Sequence, residues 1–181
     1  GRCVCLFYCK ESCGKMKIIA ISGSSREGNT DAILKRILDG ARENGASIEL
    51  VRLRERNIEL CDGCSSCEKT HHCHLLDEMQ SVYKKVFDAD VVVLGSPNYF
   101  NNVSALMKNF MDRFNPYWED ARLKNKKAVA VCVGGQSYDS IKYCEQAIEQ
   151  FLKICSMNLI EKIWVTADRP MEAKENEELM Q

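Results

Sequence analysis

The stretch "KIIAISGSSREGNTDAILKRILDGARENG", Lys17 to Gly45, passes from a strand pattern through a turn-rich loop to a helix pattern. "KIIAIS" (Lys17–Ser22) is a short apolar run of the kind buried inside a sheet. "GSSREGNT" (Gly23–Thr30) stops it with glycine and serine. From Thr30 to Asn44 the residues Ile33, Leu34, Ile37, Leu38 and Ala41 fall on one helical face, and Gly45 supplies a C-terminal stop. A buried strand feeding a helix through such a loop is the opening unit of an α/β fold.

Downstream the alternation continues. "SIELVRL" (Ser47–Leu53) alternates like a strand, and an irregular cysteine-rich loop follows. A helix is expected over Leu76–Phe87, with Asp77 and Glu78 at its positive dipole end. "DVVVLGSP" (Asp90–Pro97) is a continuous apolar strand, the pattern of a parallel sheet covered on both faces. A helix over Ser104–Phe114, a strand "KAVAVCVGG" (Lys127–Gly135), a helix over Tyr138–Ser156 and a strand "LIEKIWVTA" (Leu159–Ala167) complete the pattern. The tail "KENEELM" is charged and reads as frayed or a short helix. Five strands with intervening helices predict a doubly wound parallel sheet in the order 2-1-3-4-5, with helices on both faces. Such sheets bind ligands beyond the carboxyl ends of their strands, at the switch point between the first and third.

Composition narrows the function. The chain has 181 residues, 45% of them hydrophobic, with a formal charge of −1. That suits one domain and gives no bulk electrostatic basis for binding nucleic acid or a membrane. No run approaches the ~18 apolar residues of a spanning helix. The leading "RCVCLFYC" lacks a signal-peptide cleavage pattern, so the expected location is cytoplasmic. Residues 1–15 read as a leader outside the fold, and residues 16–181 as the domain, with a cysteine loop over 57–76. Eleven cysteines is a high count, and in a cytosolic chain it points to metal or redox chemistry rather than to disulfides. Cys132, Cys144 and Cys155 stand alone in apolar settings and read as small buried hydrophobes.

Three loops should meet at the strand ends. After the first strand, Ser22, Ser24, Ser25, Arg26, Asn29 and Thr30 offer hydroxyls, a guanidinium and the amides of a helix N-terminus, the donors that a phosphate requires. The loop has no Walker lysine and no G-x-G-x-x-G, which argues against nucleoside triphosphates and dinucleotides. After the third strand, Pro97, Asn98, Tyr99, Phe100 and Asn101 present backbone amides and two aromatic rings to a planar group. After the fourth, Gly134 and Gly135 let a flat ligand approach the main chain.

"CDGCSSCEKTHHC" (Cys61–Cys73) holds Cys61, Cys64, Cys67 and Cys73 at spacings of two, two and five. Three cysteines at the shorter spacing wrap a tight loop around several irons, and a fourth reaches back. Zinc is the rival, with His71, His72 and His74 at hand, although its ligands usually come as two pairs across a longer loop. An empty or oxidised loop is the third reading. Four thiolates suffice for either metal site, which leaves the histidines as solvated loop residues. A second set, Cys3, Cys5, Cys9 and Cys13, lies in the leader.

"GSSREGNT", "GSPNYFNNVSALMKNFMDR" and the cysteine loop between them resemble the NADPH-dependent FMN reductase superfamily, and within it the iron–sulfur flavoprotein branch. The likeness covers about Met16 to Ala167. It implies a flavodoxin-like fold, FMN at the three loops and one [4Fe-4S] cluster on the four central cysteines. It also implies a homodimer or homotetramer in which one subunit's cluster loop lies near a neighbour's flavin. Electrons would come from ferredoxin or NAD(P)H and pass to oxygen, peroxide, a quinone or a protein. Tyr117 and Trp118 are candidates for that subunit interface, with packing onto their own domain as the alternative. Two other readings stand beside this one: an NAD(P)H-dependent FMN or quinone reductase without a working cluster, and a flavodoxin-like carrier with no substrate of its own. No proton-transfer residue stands out.

Overall fold

The structure is a computed structural model that describes residues 14–169 and 171–175. Its first thirteen residues, which include most of the expected leader, lie outside the described residues. So do the residues from 176 onward, which hold most of the charged tail.

The first strand, β1 (Lys17–Ser22), runs into α1 (Asn29–Glu43), then β2 (Ser47–Arg52) and a 3₁₀ turn over Leu53–Glu55. The cysteine loop contains one helical turn, α2 (Cys67–Thr70), where only irregular chain is expected from the sequence. Then come α3 (Met79–Asp88), β3 (Val91–Pro97), α4 (Ala105–Arg113) and a 3₁₀ turn over Asn115–Tyr117. The chain closes with β4 (Lys127–Gly134), α5 (Tyr138–Ile154), β5 (Asn158–Thr166) and α6 (Glu172–Glu175). All pairings are parallel, in the order β2-β1-β3-β4-β5, as the alternation predicts.

Alternation along each strand sends successive side chains to opposite faces. Ile18, Ala20, Val91, Val93, Val129 and Val131 pack with Ile33, Leu34 and Leu38 of α1. Ile19, Ile21, Val92, Leu94, Ala130 and Cys132 face α3, α4 and α5, where Tyr83, Phe110, Phe114, Tyr117, Ile141 and Ile148 fill the second core. Burying an aliphatic or aromatic side chain stabilises by ~1.5–3 kcal/mol, so these two layers hold the sheet. Cys132, Cys144 and Cys155 are buried and free, as expected. Tyr117 is also core, 4.8 Å from Tyr83 and 5.1 Å from Phe87 between ring centroids, so of the two candidate interface aromatics Trp118 alone is exposed.

Helix α3 starts three residues later than its apolar spacing predicts. Asp77, just before it, accepts a hydrogen bond from the Met79 N–H at 2.9 Å while its other oxygen reaches Arg113. An aspartate holding an N–H two residues ahead acts as a helix start, so Leu76 stays outside the helix and exposed. Among the described residues, no helix is long and apolar enough to cross a membrane.

Candidate functional site

Parallel strands bring the loops after β1, β3 and β4 to one end of the sheet. The first loop is tied down from three sides. The Gly23 N–H donates to the Gly95 carbonyl at 2.8 Å, and the Ser104 hydroxyl donates to the Gly23 carbonyl at 2.6 Å. Gly23 has to be glycine, because a Cβ there would lie 2.8 Å from Cβ of Met107. From the far side, Arg54 donates to the carbonyls of Ser24 (3.3 Å) and Arg26 (3.2 Å). Within the loop the Ser24 N–H donates to the Ser22 hydroxyl at 3.3 Å and the Arg26 N–H to the Ser24 hydroxyl at 3.4 Å. Helix α1 begins at Gly28 with no side-chain cap, so the first-turn N–H groups of Asn29, Thr30 and Asp31 have no cap acceptor. A helix start of this kind can receive an anion.

The side chains named from the sequence take different places in this loop. Ser25 and Arg26 are exposed, and the Ser25 hydroxyl lies 3.2 Å from the Tyr99 hydroxyl, linking the first loop to the second. The Ser24 hydroxyl donates to the Arg26 carbonyl at 2.7 Å and stiffens the turn. Ser22 and Thr30 are buried, and Ser22 donates to Asp31 at 2.5 Å. The Asn29 amide is engaged at both ends, donating to the Arg169 carbonyl and accepting from the Ala173 N–H. For Ser22 and Asn29, then, the side chain serves the fold and the backbone N–H of Asn29 is what faces the helix end.

Asp31 is the electrostatic centre beneath this loop and has no counterpart in the sequence reading. It is fully buried and accepts from Arg54 at 2.8 Å, Arg52 at 3.2 Å and Ser22. Burial pushes its pKa up, but the bonds from Arg54 and Ser22 and the charges of both arginines outweigh that and hold it below the ordinary aspartate value.

The second loop is a tight reversal in which Tyr99 and Asn102 pair, while Phe100 (φ 53°) and Asn101 (φ 59°) occupy the left-handed region. The geometry lifts the Phe100 ring completely into solvent. Asn98 donates to the Ser140 hydroxyl at 2.9 Å, and Ser140 donates to Asn101 at 2.5 Å, so the start of α5 braces this loop. The Asn98 Oδ1 is buried and has no partner, an acceptor left open. In the third loop the glycines make room for protein neighbours. A Cβ on Gly134 would lie 2.9 Å from Ile141, and one on Gly135 would collide with the Asp168 carboxylate.

The cysteine loop is carried by the polar side of α4. Asn109 accepts from the Cys61 N–H at 3.3 Å and donates to the Glu59 carbonyl at 3.2 Å. One turn on, the fully buried Arg113 donates to the Glu59 carbonyl (2.8 Å), the Leu75 carbonyl (3.4 Å) and both oxygens of Asp77 (2.6 and 3.1 Å). One guanidinium thereby joins the two flanks of the loop, and its Nε is buried without a partner. Nothing in "MKNFMDR" marks Arg113 as buried. Its one sequence signal is the four-residue spacing from Asn109, which puts both on one helix face.

Cys61, Cys64, Cys67 and Cys73 all line one small cavity of about 60 Å³, with Asp62, His74, Arg113 and Asn115 in its wall. All four thiols are free. Asn115 donates to Sγ of Cys67 at 3.1 Å, and Asp62 accepts from the Cys64 N–H at 3.1 Å and pairs with His74 at 2.9 Å. Four cysteines around one enclosure are a donor set that an iron–sulfur cluster can use. Zinc would draw four sulfurs to ~3.8 Å from one another, from Zn–S bonds of ~2.3 Å. Among the described residues, the one trio of metal-type ligand atoms within 4.8 Å is Asp62, Cys64 and His74, so the four sulfurs stand wider apart than a single ion would hold them.

Residues 16–171 match the NADPH-dependent FMN reductase family. An iron–sulfur flavoprotein of Methanocaldococcus jannaschii is 37% identical over 146 residues, 80% of this chain and 76% of that protein. Another, from Methanosarcina thermophila, is 31% identical over 147 residues, 80% of this chain and 77% of its own length. Among solved structures, a flavone reductase superposes with a TM-score of 0.70 at 25% identity, covering 91% of this chain, which spans 58% of that longer protein. The fold, the glycine–serine loop at the strand ends and the four-cysteine cavity therefore agree with the comparisons: this chain belongs to the NADPH-dependent FMN reductase family, in its iron–sulfur flavoprotein branch, and is an oxidoreductase.

Proposed function

We propose that this protein holds FMN at the strand ends and a [4Fe-4S] cluster on Cys61, Cys64, Cys67 and Cys73, and that it moves electrons between them. The observation that carries the reading is the single cavity lined by all four cysteines. The phosphate is held by the backbone N–H groups of Asn29 and Thr30, with Ser24, Ser25 and Arg26 around it. The ring lies against Pro97–Asn101 and Gly134–Gly135. FMN supplies paired or single electrons and the cluster supplies single ones, so the chain's task is to position both and exclude water.

NAD(P)H or a reduced ferredoxin is the proposed electron source, and a small molecule or a protein the acceptor. The assembly is proposed as a homodimer or homotetramer, with the exposed Trp118, which follows the 3₁₀ turn Asn115–Tyr117, as an interface residue. Light scattering that returns a monomer with its cofactors bound would overturn that. Anaerobic purification followed by flavin, iron and sulfide analysis tests the cofactors. Turnover with NADPH and a quinone separates this reading from a carrier without a substrate. The trio Asp62, Cys64 and His74 favours a second reading, a single divalent ion held by two hard ligands and one soft one. Zinc in place of iron in the anaerobic protein would establish it.

A further inference from the structure

The cavity that receives the four cysteines has an uneven wall. Two carboxylates, Asp62 and Asp112, and the negative C-terminal end of α4 border it. Each carboxylate already has a partner outside the sulfurs: Asp112 pairs with Lys108, and Asp62 with His74 at 2.9 Å. Against them stand two donors. Arg113 is a buried cation, and it is paired with Asp77 on the side away from the cavity, since Asp77 is absent from the wall. Asn115 is exposed, and its amide donates to Sγ of Cys67 at 3.1 Å. Asn115 makes no other side-chain hydrogen bond among the described residues, so its one such bond is to a sulfur.

We propose that Asn115 sets the reduction potential of the cluster by donating a hydrogen bond to the Cys67 sulfur. The inference rests on the iron–sulfur reading of the four cysteines and goes beyond it by naming a residue that is not a ligand. One-electron reduction adds negative charge to the cluster and its thiolates. An N–H directed at a ligand sulfur stabilises the reduced state more than the oxidised one, so it raises the potential. The bond is made within 3₁₀ turn Asn115–Tyr117, directly after α4, and Pro116 and Tyr117 beside it are buried, so the amide is held on a rigid support. Replacing an exposed amide leaves the core untouched, which keeps the test independent of folding.

The experiment uses the anaerobically prepared full chain and its Asn115→Leu and Asn115→Asp variants. Iron and sulfide are counted, and cluster and flavin potentials are read by spectroelectrochemical titration. The leucine removes the donor at similar size, and the aspartate replaces it with a negative acceptor. Full iron is expected in all three. The cluster's oxidised-to-reduced ratio should shift by up to tenfold toward oxidised in the leucine variant, ~59 mV for one electron, and further in the aspartate variant. The flavin potentials should not move, because its loops lie at the other end of α4. Full iron with an unchanged cluster potential, or with the aspartate shifting it upward, would overturn the proposal. Loss of iron in the leucine variant would make Asn115 a structural support and overturn it too. A parent protein without iron would remove the cluster reading itself, and the proposal with it.

Discussion

Neutralising Asp31 would strand two guanidinium groups beside the loop after β1. Asp31→Asn keeps the shape and removes the charge that Arg52 and Arg54 share. Breaking a fully buried pair costs about 3–5 kcal/mol, and these arginines are partly exposed, so about 2 kcal/mol is expected. A urea midpoint that falls with an unchanged slope would record it. FMN affinity should fall in the same variant, because Arg54 would no longer be held against the Ser24 and Arg26 carbonyls. The pH dependence follows from the same residue. Its carboxyl has a lowered pKa in the folded chain, so its contribution is complete above the ordinary aspartate value near 3.9 and is lost as pH falls through the lower folded value. Asp77 adds to the same acid limb, since burial raises its pKa less than Arg113 and the N–H groups of Glu59 and Met79 lower it. Thermal melts between pH 6 and pH 3 should therefore show a loss of stability confined to the acid end. A melting temperature that rose on acidification would contradict the assignment.

Helix α4 gives the two halves of the site a common support. It has nine residues, about 13 Å of length. At its start Ser104 caps the helix by accepting from the Met107 N–H and secures Gly23. At its end Arg113 holds the cysteine loop. Two substitutions should separate these roles. Ser104→Ala removes a cap worth about 1 kcal/mol and loosens the loop after β1, so FMN affinity should fall while iron content stays. Arg113→Met strands the buried Asp77 and releases both loop flanks, so iron should be lost first, with ~3–5 kcal/mol of stability. Equal losses of flavin and iron in both variants would refute the division. The helix itself was legible in the sequence to within a residue, because its apolar spacing and Ser104 are local signals. Its two attachments were not. They join positions 81 and 54 residues apart, and hydrogen bonds of that span leave no pattern in composition or periodicity.

For the whole molecule, strand order followed from the alternation of buried runs and helices, since a parallel sheet needs crossovers and handedness leaves few arrangements. The four cysteines and the strand-end loops were legible for a related reason: cysteine spacing and a glycine–serine loop before a helix carry their chemistry locally. Burial of Arg113, the inward turn of Ser22 and the engagement of Asn29 by the C-terminal segment depend on packing between distant elements, which only the folded chain supplies. The central claim is that "CDGCSSCEKTHHC" is an iron–sulfur loop beside an independent FMN site. Metal, sulfide and flavin analysis of anaerobically purified parent and Cys67→Ser protein tests it most directly. An alcohol is a poor replacement for a soft thiolate, so the account predicts four irons, four sulfides and one FMN in the parent, and FMN with little iron in the variant. Zinc in the parent, or iron retained in full by Cys67→Ser, would contradict it.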